Sequence, residues 1–162
     1  MLNRAAFIDR DGTIIYDHGY IKDPDNVNVI DGAKEAIKLL KSKGFMVFIV
    51  TNQSGVARGI MTITDVNKVN QKLLSMIGGS IIDDILICAH GPDEQCLCRK
   101  PGTALVEQVA KKYKIDLTSS YSIGDKDSDK ELGIKMGGKG IKLGEKNINT
   151  LLDAAKLIIK EN

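Results

Sequence analysis

The chain has no tryptophan, three prolines, two histidines and an aromatic fraction of only 4%. Stacking surfaces for single-stranded nucleic acid need aromatic rings interleaved with basic groups, and this composition offers few. Charge of one sign is also missing: 23 basic and 21 acidic side chains leave a net charge of +2 at pH 7. No global field therefore draws in a polyanion, and any anion recognition has to be local. No apolar run approaches the ~20 residues that cross a bilayer. The opening MLNRAAFIDRDGT lacks the apolar stretch of a secretory signal. The expectation is a cytoplasmic, monomeric protein with no membrane or nucleic-acid partner. A disulfide framework is absent too, because three cysteines is an odd number and all lie between Cys88 and Cys98. In a reducing compartment such clustering points to metal ligation.

What is present is an ordinary globular mixture, 43% hydrophobic and 27% charged over 162 residues, which suits one domain spanning 1–162. Short apolar runs at Ala5–Asp9, Phe45–Thr51, Ile81–Cys88, Ser120–Asp125 and Gly140–Leu143 lack strict alternation and fit strands buried on both faces. Between them, Ala33, Ala36, Ile37 and Leu40 share a helical face after a cap at Asp31. Val66, Val69, Leu73 and Ile77 share another after a cap at Thr64. Leu105, Val109 and Tyr113 follow Pro101-Gly102, a shorter helix follows Asp127, and Ile148, Leu151, Leu152, Ala155, Ile158 and Ile159 close the chain. This rhythm predicts an α/β fold, a Rossmann-like parallel sheet with helices on both faces.

Ligands of such sheets bind beyond the carboxyl ends of the strands, near a switch in strand order. Asp9 and Asp11, Thr51 and Asn52, Cys88 and His90, and Asp125 all stand at those ends. Asp9-Arg10-Asp11-Gly12-Thr13 places two carboxylates one residue apart before a glycine that lets the chain curl. A lone strand-end aspartate is usually a turn residue; this pair fits phosphate-ester chemistry better. A carboxylate nucleophile at Asp9 divides a very slow hydrolysis into two easier displacements. A cation must then separate it from the dianionic phosphate, and Mg²⁺ suits oxygen ligands. Gly124-Asp125-Lys126-Asp127-Ser128-Asp129 supplies the further ligand at Asp125, while Asp129 could orient a metal-bound water or nearby backbone.

A second cluster, Cys88-Ala89-His90 and Cys96-Leu97-Cys98, has the short spacings and donor types of a tetrahedral Zn²⁺ site within a zinc-binding loop, 88–98. Four protein ligands leave no open position, so such a metal is structural, fixing the loop that leads into Arg99 and Lys100.

Asp9-x-Asp11-Gly12-Thr13, the strand ending in Thr51, Lys100, and Gly124-Asp125 with Asp129 together resemble the haloacid dehalogenase superfamily, in order and over nearly the whole chain. The resemblance implies that Asp9 is nucleophile and Mg²⁺ ligand. Asp11 would bind the metal through its carbonyl and act as acid and base, Thr51 and Lys100 would bind phosphoryl oxygens, and Asp125 would complete the metal site. With no long helical or β insertion between residues 12 and 31, a capless member is expected. The Cys-x-His and Cys-x-Cys-Arg-Lys-Pro stretches, Asp17-His18-Gly19-Tyr20 and Thr51-Asn52-Gln53-Ser54-Gly55 more closely resemble the D-glycero-D-manno-heptose 1,7-bisphosphate 7-phosphatases of nucleotide-heptose and surface polysaccharide synthesis. The loop between His90 and Cys96 is shorter than that family's. The resemblance implies substrate contacts from Asp17, His18, Gly19, Tyr20, Thr51, Asn52, Gln53, Ser54, Arg99, Lys100 and Lys126. On their own residues, His18 and Lys126 read nearly as well as solvated loop side chains. Histidinol-phosphate phosphatases share the aspartate motifs and the zinc loop and form the alternative. A non-catalytic binding module is another, opposed by the presence of Asp9, Asp11, Lys100 and Asp125, and a nucleic-acid 3′-phosphatase is a third, disfavoured by the balanced charge and the lack of an aromatic-basic stripe.

Overall fold

Alternating residues of the first strand decide how the sheet is covered. In the computed structural model of the protein, which describes residues 2–161, β1 (Arg4–Ile8) sends Ala6 and Ile8 into one buried cluster and Ala5 and Phe7 into another. β2 (Phe45–Asn52) repeats the division, with Val47 and Ile49 against Phe48 and Val50. Side chains alternate with period 2, so strands apolar on both sides need cover on both. The apolar stripes of α1 (Ala33–Ser42), α2 (Ile63–Ile77) and α5 (Leu151–Lys160) cover the first face. Those of α3 (Ala104–Tyr113) and α4 (Asp127–Lys135) cover the second. Fully buried side chains such as Ile37, Phe48 and Leu73 each contribute roughly 1.5–3 kcal/mol by leaving water.

With β3 (Asp84–Cys88), β4 (Tyr121–Gly124) and β5 (Lys139–Lys142), the strands form one sheet in the order β3-β2-β1-β4-β5, parallel throughout. The expected α/β architecture holds. The chain runs outward from β1 to β3, then returns to lay β4 on the other side of β1. That reversal sets the carboxyl ends of β1 and β4 side by side, the place where such sheets bind ligands. Among the described residues, 12–31 contain only a 3-10 turn, Pro24–Asn26, and isolated bridges of Ile15 with Asp11 and Val29. Among the described residues no cap domain covers the site.

Four boundaries differ from expectation. The third strand starts at Asp84 and not at Ile81, because Gly79–Ile81 forms a 3-10 turn and Asp83 turns aside, its carboxylate accepting from the Val47 N–H at 2.6 Å and from Lys41 Nζ at 2.8 Å. Gly32, with φ at 81°, occupies the N-cap of α1 in place of Asp31. Thr62 caps α2 in place of Thr64: its Oγ1 accepts from the Asp65 N–H at 3.1 Å while Asp65 accepts from the Thr62 N–H at 2.8 Å. The same reciprocal pair at Thr150 and Asp153 starts α5 at Leu151 and leaves Ile148 outside it.

Candidate active site

Where β1 ends, the backbone curls. The Asp9 N–H still bonds to β4 through the Ile123 carbonyl at 2.9 Å, and the Arg10 carbonyl then accepts from the N–H groups of Ile14 and Ile15 at 2.9 and 3.1 Å. Gly12 makes the curl, with φ at 81°. It also lets Asp125 approach, since a Cβ on Gly12 would collide with the Asp125 carboxylate. The loops after β1 and β4 therefore meet.

At their junction Asp9 is buried and 2.7 Å from Lys100 Nζ. The same ammonium donates to the Val50 carbonyl at 2.6 Å and pairs with Asp129 at 2.7 Å. One carboxylate oxygen from each of Asp9, Asp125 and Asp129 lies within 4.8 Å of the others. Three carboxylates facing one ammonium leave a double negative excess when all are ionised, which one divalent cation neutralises. Without it, burial pushes the Asp9 carboxyl up to about 7; Lys100 pulls the other way, while Asp129 and Asp11 add repulsion. Asp125 Oδ1 is buried and accepts no hydrogen bond, although buried polar atoms are normally partnered. Hard oxygen donors, an orphaned carboxylate oxygen and charge excess all fit Mg²⁺.

Asp11 sits beside this group, and its carboxylate is held from two sides. Gln53 Nε2 donates to Oδ2 at 2.9 Å and to Thr51 Oγ1 at 2.7 Å, and Thr51 Oγ1 lies 3.5 Å from Asp11. The Arg10 guanidinium donates to both carboxylate oxygens at 3.1–3.2 Å. Above these groups opens a cavity of about 350 Å³, lined by Asp9, Asp11, Asp17, Gly19, Tyr20, Ile21, Asn52, Gln53, Ser54, Arg99, Lys100, Lys126 and Ser128. Tyr20 forms one wall, and Gly55 seats it: a Cβ there would strike the Tyr20 ring and Met61.

Cys88, at the end of β3, meets His90, Cys96 and Cys98 with donor atoms within 4.8 Å of one another. Cys88 and Cys96 are 3.7 Å apart at sulfur, and Cys88 and His90 Nδ1 3.6 Å. A tetrahedral metal with ~2.3 Å bonds to sulfur separates its ligands by about 3.8 Å. The nearest sulfur pair, Cys88 and Cys98 at 2.9 Å, is well beyond the ~2.05 Å of a disulfide. The donor set fits a zinc ion. Past Cys98 the chain is clamped to β2, where Asn52 Oδ1 accepts from the Lys100 N–H at 3.0 Å and Asn52 Nδ2 donates to the Lys100 carbonyl at 3.3 Å.

A family model described as polynucleotide kinase 3 phosphatase matches residues 4–140. The D-glycero-beta-D-manno-heptose-1,7-bisphosphate 7-phosphatase of Helicobacter pylori is 40% identical over 135 residues, 82% of this chain and 78% of that protein. Its counterpart from Photorhabdus laumondii is 38% identical over 167 residues, 96% of this chain and 89% of the other. The chain belongs to the heptose bisphosphate phosphatase family, within the haloacid dehalogenase superfamily. The crystal structure of D,D-heptose 1,7-bisphosphate phosphatase from B. bronchiseptica, complexed with magnesium and phosphate, aligns with a TM-score of 0.85 at 27% identity, covering 98% of this chain and 99% of that one.

For this heptose bisphosphate phosphatase family member, the structure gathers most residues expected at the site into one cavity and leaves Thr51 and His18 out of its lining. Thr51 is buried beneath the cavity, its hydroxyl bonded to Gln53 and near Asp11. Asn52 reaches the cavity but spends its amide on the Lys100 backbone. His18 faces a separate hollow with Lys22 and Asp23 and stacks on Tyr16, ring centres 6.4 Å apart. Asp129 is the residue that sequence reasoning underrated: it pairs with Lys100 and caps α4 by accepting from the Lys126 N–H at 3.1 Å. An acidic helix start hides that second role, and only the narrow step at Gly124, where a Cβ would strike the Asp129 carboxylate, gives it away.

Proposed function

We propose that this chain is a magnesium-dependent phosphomonoesterase, a single domain that removes the C7 phosphate of D-glycero-D-manno-heptose 1,7-bisphosphate through an aspartyl-phosphate. The observation that carries this reading is the buried Asp9, bridged to Asp129 by Lys100, facing a cavity whose rim holds Arg99 and Lys126. The relatives' names support the sugar bisphosphate. Arg99 and Lys126 supply cations for a second phosphate, and Arg99 has the planar fork that suits it.

Asp9 attacks phosphorus, and the bond from phosphorus to the sugar oxygen breaks as Asp11 passes its proton to that oxygen. Water then gives a proton to Asp11 and attacks the same phosphorus. The bond to Asp9 breaks, releasing inorganic phosphate and restoring the carboxylate. Asp9, Asp125 and Asp129, with the Asp11 carbonyl, are the groups that hold Mg²⁺, which screens charge on the transferring phosphoryl group when bound. Lys100 adds a fixed ammonium there. Cys88, His90, Cys96 and Cys98 hold a structural zinc, whose need for reduced thiols supports a cytoplasmic setting. A monomer with only a small sugar substrate as partner, acting in nucleotide-heptose and polysaccharide synthesis, completes the proposal.

Phosphate release from heptose 1,7-bisphosphate and from histidinol phosphate, measured side by side with Mg²⁺, tests the assignment. A strong preference for the heptose is expected. A preference for histidinol phosphate would replace the substrate while keeping the chemistry. Undiminished turnover by Asp9→Asn would remove the mechanism.

A further inference from the structure

Arg10 is the largest side chain that the fold buries completely. Burying a guanidinium is costly unless its donors are used, and here they are used in one direction. Nε and Nη2 grip both oxygens of Asp11 at 3.1–3.2 Å, and Nη1 donates to Asn70 Oδ1 at 2.8 Å. Asn70 is itself buried, on the face of α2 that otherwise presents Val66, Val69, Leu73 and Ile77. Helix packing gives no reason for an amide among those apolar residues. An acceptor is needed there if Arg10 is to be held at a fixed angle. With Nη1 latched to α2, the plane of the fork is set, and with it the plane of the Asp11 carboxylate that Gln53 grips from the other side.

We propose that Arg10, latched by Asn70, is the positioning residue that orients Asp11 for proton transfer. The inference rests on the reading of Asp11 as proton donor. It makes helix α2 the support for the acid. Arg10 does not touch substrate: Asp11 lines the cavity and Arg10 does not. Its effect therefore passes through Asp11 alone. A bidentate fork can do this and a lysine ammonium cannot, because a point charge leaves the carboxylate free to rotate.

The test exploits leaving groups. A 4-nitrophenolate departs with little help from a proton, whereas a sugar alkoxide needs one, and kcat/KM reports the step in which either departs. Arg10→Lys, Asn70→Ala and Asn70→Asp are compared on 4-nitrophenyl phosphate and on a sugar phosphate, with Asp11→Asn as reference. General acids contribute ~10²–10⁴-fold, so a misoriented one should forfeit a part of that. Arg10→Lys and Asn70→Ala are expected to lose at least about tenfold more kcat/KM on the sugar phosphate than on the aryl phosphate, mainly in kcat. Asn70→Asp keeps the acceptor and should stay within about threefold of the parent ratio. Equal losses on both substrates in Arg10→Lys and Asn70→Ala would reduce the pair to a structural role and overturn the inference. If Asp11→Asn itself fails to discriminate between the leaving groups, the proton-donor reading falls, and the inference with it.

Discussion

Replacing Lys100 with methionine keeps the length of the side chain and removes the one ammonium that faces Asp9 and Asp129. In the folded protein that ammonium makes three close contacts, at 2.7 Å to each carboxylate and 2.6 Å to the Val50 carbonyl, with almost no exposure to water. Removing one partner of a buried ion pair typically costs about 3–5 kcal/mol, because the remaining charge is left uncompensated. Domains of this size are stable by roughly 5–15 kcal/mol and lose about 2–4 °C per kcal/mol. Lys100→Met should therefore fold, with Tm lower by roughly 6–20 °C in the metal-free state. Saturating Mg²⁺ should recover part of that loss, since a divalent cation among Asp9, Asp125 and Asp129 does some of the missing neutralisation. Turnover at saturating Mg²⁺ should fall by about 10²–10³-fold, the usual effect of deleting a donor to the reacting group. Calorimetric melting with and without Mg²⁺, together with phosphate release, reads all three effects. A Tm shift below about 3 °C combined with kcat within tenfold of the parent would refute the assignment of Lys100 as the hub of the site.

Gly12→Ala should weaken Mg²⁺ binding by about tenfold or more, because the left-handed φ costs roughly 1–2 kcal/mol and the added methyl pushes Asp125 away; unaltered titration calorimetry would show that the close approach is unimportant. The raised Asp9 carboxyl, at about 7 without metal, is protonated below that pH, so a proton competes with the cation. Apparent Mg²⁺ affinity should fall by up to about tenfold per pH unit as pH drops below 7 and level off above it, with proton release visible in buffers of different ionisation enthalpy; a flat profile from pH 5.5 to 8 would contradict the burial argument. Chelation of the zinc proposed at Cys88, His90, Cys96 and Cys98 should lower the melting temperature. It should also reduce turnover by roughly 10–100-fold through misplacement of Arg99 and Lys100; because Asn52 also clamps Lys100, activity should fall without vanishing. Full activity in a demetallated, folded enzyme would break the link between the two metal sites.

The order of strands and helices was legible in the chain because strands covered on both faces leave continuous apolar runs, and helices leave a stripe. Ala5 to Ile8 and Leu151 to Ile158 are examples. The ends were less legible. Asp31 and Thr64 are plausible caps in sequence, and only backbone direction selected Gly32 and Thr62 in their place. The site was legible as a set of strand-end polar residues, since a parallel sheet sends its carboxyl ends to one edge whatever the details.

What the chain by itself determined was therefore the chemistry on offer: paired carboxylates at Asp9 and Asp11, a basic Arg99-Lys100, an acidic run from Asp125, and a soft-ligand cluster near Cys88. What tertiary structure decided was who faces whom. It turned His18 away from the cavity, sank Thr51 beneath it and spent Asn52 on the backbone of Lys100. It also joined Asp129 to Lys100 and latched Arg10 to Asn70 across sixty residues of sequence. Such pairings come from side chains meeting across separate elements at angles set by the packing of the whole sheet, and spacing along one segment carries no record of them.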